Sequence, residues 1–173
     1  MGAYRLIGYE NRLMRAEEFN DDTVDAGDIG GGHTVTAFYE IIPPGAEADA
    51  LPGIDPLKYT IQRDNTEASS VFAEELCTVK IRYKLPRETT SALLSFPVTK
   101  SEIRRLGEES TDFRFASAVA AFGMLLRDSP YKGTADFALV QSLAESSLGR
   151  DEYGYRRGFV QMVKTAKTVK ALR

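Results

Sequence analysis

Thr78–Leu85 reads TVKIRYKL, and its alternation decides the first half of the fold. Val79, Ile81, Tyr83 and Leu85 fall on one side of an extended chain, and Thr78, Lys80, Arg82 and Lys84 fall on the other. Successive side chains of a strand point to opposite faces, so this pattern predicts a strand with an apolar core face and a basic solvent face. Leu93–Val98 predicts a neighbouring strand, with Leu94, Phe96 and Val98 inward. Pro97 cannot donate to a ladder and marks an edge or an end.

Working toward the N-terminus, His33–Ile42 (HTVTAFYEII) is dense in β-branched and aromatic residues and stops at Pro43-Pro44, which predicts another strand. Tyr4–Tyr9 is a further short β-rich run. The connection between the second and third strands is long and punctuated by Pro43, Pro44, Gly45, Pro52, Gly53 and Pro56, with a short strand at about Tyr59–Gln62.

Working toward the C-terminus, the apolar period changes from two to 3.6 after Val98. Thr111 or Asp112 can cap a helix carrying Phe115, Val119, Phe122 and Leu126. Phe113, Ala116, Ala118, Ala120 and Leu125 occupy its other sides, so it is expected to be buried nearly all round. Pro130 and Gly133 end it; a second helix runs from about Ala135 to Leu148. A third starts near Asp151 with Tyr155, Phe159, Met162, Ala166 and Val169 on one stripe.

Strands followed by helices predict an α+β fold: a mainly antiparallel sheet of about four to five strands packed with a bundle of about three helices. Residues 1–100 form the β-rich part and 101–173 the helical part of one compact unit. The strand order stays open, and an incomplete sheet would leave an unpaired edge, which invites homodimerisation.

With 173 residues, 43% hydrophobic and 27% charged, the chain can bury a core. Residues 155–173 carry six basic side chains and no acid; since the whole chain is at −3, the remaining 154 residues stand at −9. That balance argues against a nucleic-acid binder. A single cysteine, Cys77, excludes an internal disulfide. No run approaches the roughly 20 apolar residues of a membrane span. No signal peptide is expected at the N-terminus, where Met1-Gly2 reads like an added start before Ala3-Tyr4.

Few residues carry chemistry. His33 is the only histidine and follows Gly30-Gly31-Gly32; a dyad with Cys77 would need hydrogen-bond reach and an orienting partner. A thiol opening an alternating strand is more simply a small buried hydrophobe. Asp21, Asp25 and Asp28 offer oxygen ligands for calcium, but Gly27 arrives one position late for an EF-hand loop and no glutamate closes the run. Turn and cap chemistry is the simpler use of these residues. The glycines at 27 and 30–32 precede a strand and no lysine follows, so they do not make a phosphate cradle. Lys164, Lys167 and Lys170 flank the apolar stripe of the last helix; they form a solvated face or, alternatively, dock an anionic surface. No catalytic residue and no cofactor are expected.

The strings YRLIGYENR (Tyr4–Arg12), FNDDTVDAGDIGGGHTVTAFYEI (Phe19–Ile41), TVKIRYK (Thr78–Lys84), DFRFASAVAAFGMLLRDSPY (Asp112–Tyr131) and GYRRGFVQMVKTA (Gly154–Ala166) are similar, in order, to the C-terminal region of bacterial von Willebrand factor type A proteins of the YfbK type. In that family the type A domain lies upstream and binds a metal through a DxSxS motif. Here Asp64 leads into Asn-Thr-Glu-Ala and Asp128 into Ser-Pro-Tyr-Lys, so that metal site is not in this chain. The resemblance implies an envelope-associated bacterial protein. In it, this region would be a non-catalytic accessory or protein-interaction part that supports the type A domain; its protein partners are unidentified.

Overall fold

The structure, a computed structural model, describes residues 3–8, 18–24, 27–42, 74–105 and 107–171. Strands β1 (Ala3–Ile7), β2 (Phe38–Ile42), β3 (Glu75–Tyr83) and β4 (Ala92–Thr99) precede helices α1 (Thr111–Leu126), α2 (Phe137–Ser146) and α3 (Tyr155–Ala171). The class is α+β, and the four strands form two separate antiparallel pairs, β1-β2 and β3-β4. Of the expected strand at 33–42, only Phe38–Ile42 is extended into a ladder. The short strand expected at 59–62 lies outside the described residues.

The chain divides into two compact units. One comprises Met1–Leu6, Asn11–Thr34 and Tyr39–Ile103; the other comprises Ile7–Glu10, Val35–Phe38 and Arg104–Arg173. In the first, β3 and β4 pair with Val79 opposite Phe96, Ile81 opposite Leu94 and Tyr83 opposite Ala92, after an irregularity between Glu75 and Cys77. A turn follows β3 in which Glu88 N donates to Leu85 O at 3.0 Å. Tyr4 and Tyr39 tilt against each other across β1 and β2 at 6.4 Å, and Arg5 pairs with Glu40 beside them.

The expected burial of β3 is corrected here. Val79, Ile81, Tyr83 and Leu85 are 41%, 47%, 41% and 54% exposed, and Leu94 and Phe96 are likewise open. Alternation places these side chains on one face, but that face stays about half exposed.

The second unit holds the core. Ala118, Phe122 and Leu125 of α1, Val140 and Ala144 of α2, and Phe159, Val160 and Val163 of α3 form one buried cluster. Phe122 stands edge-on to Phe159 at 5.4 Å and to Phe137 at 6.1 Å, the geometry aromatic quadrupoles favour. Two helix expectations are corrected. Helix α1 is buried on one stripe only, because Phe113, Val119 and Leu126 remain exposed. In α3, Tyr155, Met162 and Val169 are exposed, and the inward stripe is Phe159, Val160 and Val163, compact enough to seat against Val140 and Ala144.

The helix ends follow local chemistry. Ser110, not Thr111 or Asp112, caps α1, its hydroxyl accepting from Phe113 N at 3.1 Å. At the other end, Ser129 N donates to Met124 O at 2.9 Å and Asp128 N to Leu125 O at 3.2 Å, a Schellman closure with Asp128 at φ 51°. Asp136 caps α2 through Leu139 N at 2.7 Å. Asp151 reaches forward to accept from Arg156 N and Arg157 N at 3.1 and 2.9 Å, which satisfies the open first turn of α3. Among the described residues no helix is long and apolar enough to cross a membrane.

Candidate functional site

In the first unit, a cleft of about 910 Å³ lies between residues 18–30 and the end of β3. Glu18–Asn20 make a single 3-10 turn, and Asp21 N donates back to Glu18 O at 3.1 Å. Asp21 Oδ1 then accepts from Thr23 N and Thr23 Oγ1 at 2.9 and 2.7 Å, an Asx turn that fixes the chain direction. These two bonds, the hydroxyl one first, hold the Asp21 carboxyl below its ordinary value.

Asp22 ties this turn to the hairpin. Its carboxylate accepts from Ser91 Oγ and, at 3.2 Å, from Ser91 N, and lies 3.5 Å from Arg82 Nη1. The Ser91 hydroxyl is the largest cause of its lowered pKa, followed by the Ser91 amide. Lys84 Nζ donates to Asp22 O, and Arg82 lies 5.9 Å from the centre of the Phe19 ring. Among the described residues Arg82 Nε is buried without a hydrogen-bond partner.

Asp21 and Asp28 both line the cleft, but Asp21 is spent on Thr23, and Asp25 lies outside the described residues. Among the described residues no group of three or more His, Cys, Asp or Glu side chains is placed to hold a metal ion. His33 is exposed beside its glycine turn, its N–H donating to Gly30 O at 3.1 Å. Cys77 is half-buried in β3 opposite Val98. Neither lines the cleft.

The three lysines of α3 are exposed, and two meet neighbouring side chains. Lys164 Nζ lies 2.9 Å from Glu145 Oε1 and, with its hydrogen bond as the main cause, lowers the Glu145 pKa. Lys170 lies 5.8 Å from the centre of the Phe137 ring. Lys167 adds a further charge near Glu145.

Sequence reasoning missed the grouping of Asp22 with Arg82 and Ser91. Asp22 was visible within an acidic run, but nothing local links it to a serine 69 positions away.

A family model described as "Uncharacterized protein YfbK, C-terminal" matches residues 1–169. The chain belongs to this family. The YfbK-type resemblance of its strings therefore holds. The chain is also 39% identical over 166 residues to "Uncharacterized protein YfbK" of Escherichia coli (strain K12), which covers 96% of the chain and 27% of that relative. It thus spans about a quarter of the length of the YfbK protein it matches. No solved structure matches the chain.

Proposed function

We propose that this chain is a non-catalytic accessory region whose β unit is completed by contact with the rest of a longer polypeptide. One observation carries the reading. Every fully buried side chain among the described residues belongs to the helical unit, whereas the apolar face of the β3-β4 hairpin is open. A two-stranded hairpin is marginal on its own in water, and an exposed apolar patch on an otherwise polar surface marks a contact surface.

The supplier of that contact is argued from length. Most of the E. coli relative lies outside the matched part, and a tethered segment reaches its site at high effective concentration. By the family resemblance the tethered part includes a von Willebrand factor type A domain, which this region would position, and the setting would be the bacterial cell envelope. Limited proteolysis tests the reading. Cleavage within the segment matching Glu75–Thr99 should be several-fold slower in the intact E. coli relative than in the 173-residue chain. Equal rates would sink it.

A further inference from the structure

We infer that the outer edge of β3 and the two residues that follow it, from Val79 to Leu85, accept an added strand of alternating apolar and acidic residues, supplied by the part of the longer polypeptide outside this chain. This rests on the accessory reading above and names its contact site.

The backbone provides the first argument. Among the described residues strand β3 pairs with β4 alone, in a sheet of two strands. In an antiparallel pair every second residue points its N–H and C=O away from the partner, so β3 offers a row of donors and acceptors on its far side. Edges of this kind take an extended peptide by main-chain pairing, with side-chain pockets setting the choice.

The cleft provides the second. Ile81, Arg82 and Tyr83 at the end of β3 line it, followed by Lys84–Arg87 of the turn, so side chains from both faces of the strand reach it. The cavity therefore meets β3 at its turn end, where both faces of the strand are reached. Its other wall carries Phe19, Val24 and Ile29, so an incoming strand would find apolar surface on both sides. Volume is sufficient: paired strands stand about 4.8 Å apart, and the cleft encloses about 910 Å³.

Charge selects the occupant. On the face opposite Val79, Ile81 and Tyr83 stand Lys80, Arg82 and Lys84. A second copy of β3 pairing antiparallel about Arg82 would place Lys80 opposite Lys84 and arginine opposite arginine, and like charges directly opposite are destabilising. A strand with acids at alternate positions places opposite charges there and apolar residues against Ile81 and Tyr83. Asp22 answers Arg82 from the loop, while Lys80 has no partner among the described residues. The homodimer through this edge is thereby disfavoured.

Two measurements test the site. First, amide hydrogen exchange is compared between the 173-residue chain and the intact E. coli relative. Positions matching Val79–Leu85 should exchange at least about tenfold more slowly in the intact protein, as expected for edge amides that gain partners. Slowing elsewhere in the matched region but not at these positions overturns this site and leaves the accessory reading standing; slowing nowhere overturns both. Protection already present in the short chain, dependent on its concentration or not, means that a second copy or the chain's own residues fill the edge, and overturns the proposal. Second, the chain is titrated by NMR with a soluble peptide alternating glutamate and valine, and with its lysine-valine counterpart. The acidic peptide should shift the Val79–Leu85 amides and bind at least about tenfold tighter, a preference worth about 1.4 kcal/mol. Lys80→Glu should reduce or reverse that preference. Equal binding of the two peptides, or shifts confined to the helical unit, overturns it.

Discussion

The Arg156 guanidinium stacks 4.8 Å from the centre of the Phe115 ring while its two terminal nitrogens reach different helices. Nη1 donates to Ser147 O at 3.0 Å at the end of α2, and Nη2 pairs with Asp112 in the first turn of α1. One side chain from the start of α3 thus closes an open helix C-terminus, answers an acid at a helix N-terminus and caps an aromatic ring. The hydrogen bond from the charged group to Ser147 O contributes about 1.5–3 kcal/mol, the pair with the exposed Asp112 less than about 1 kcal/mol, and the ring contact adds to them. Arg156→Ala is therefore expected to cost about 2–4 kcal/mol in urea denaturation of the chain. Arg156→Lys should recover less than half, because an ammonium cannot bridge two helices as a planar fork does. A lysine variant as stable as the parent would show that charge alone is at work.

The Asp22–Ser91 contact sets an acid limit. A carboxyl held below its ordinary value stabilises the fold fully above that value, and the contribution disappears as pH falls through the lowered folded value. Asp22, with Ser91 as main cause, and Asp151, with the Arg157 amide as main cause, both behave in this sense. Stability should thus fall as pH drops below the ordinary aspartate value of 3.8. Ser91→Ala should flatten that fall, since the folded and unfolded values of Asp22 then approach one another. A variant whose denaturation midpoint follows pH with the parent's slope would remove Asp22 from this account.

Calcium is expected to leave the melting temperature unchanged. Asp21 already accepts two bonds from Thr23, and Asp22 is engaged by the Ser91 hydroxyl and amide and by Arg82, so recruiting them would break five contacts. A ligand that binds only the folded state must raise stability. Melting curves in excess calcium and in chelator should superimpose, and a rise with calcium would restore the Asp21–Asp28 segment as a metal site.

Asp128 occupies the left-handed position of the Schellman closure of α1, with φ 51°. Glycine takes this conformation without steric cost, whereas a side chain does not. Asp128→Gly should raise the melting temperature by a few degrees, less whatever the exposed pair with Lys132 contributes. A lower melting temperature would mean that this ion pair outweighs the backbone gain.

What could be read from the sequence follows the range of the physics involved. Alternation within Thr78–Leu85 and the spacing of Phe115, Val119, Phe122 and Leu126 are local, and a strand, at Glu75–Tyr83, and a helix, at Thr111–Leu126, form over those stretches. Alternation reports that one face seeks cover, not that cover exists, so Ile81 and Phe96 were expected inside and are half-exposed. Caps were off by a residue because Ser110 and Thr111 have the same chemistry and only the backbone turn distinguishes them. Arg156 and Asp112 are 44 positions apart, and Asp22 and Ser91 69, so neither contact leaves a local trace.

The open face also separates two kinds of apolar residue that composition treats alike. Phe122 is 5% exposed and touches two other phenylalanine rings, so Phe122→Ala removes core volume and should cost about 3–5 kcal/mol. Phe96 is 50% exposed opposite Val79, so only about half of its surface leaves water on folding, and Phe96→Ala in the 173-residue chain should cost about 1–2 kcal/mol. The corresponding truncation in the intact E. coli relative should cost clearly more, provided the apolar face is covered there. Chemical denaturation of both pairs checks the contrast. Equal small losses at the Phe96 position in the short and long proteins would mean that the face stays in water in both, and that the β unit makes no contact beyond this chain.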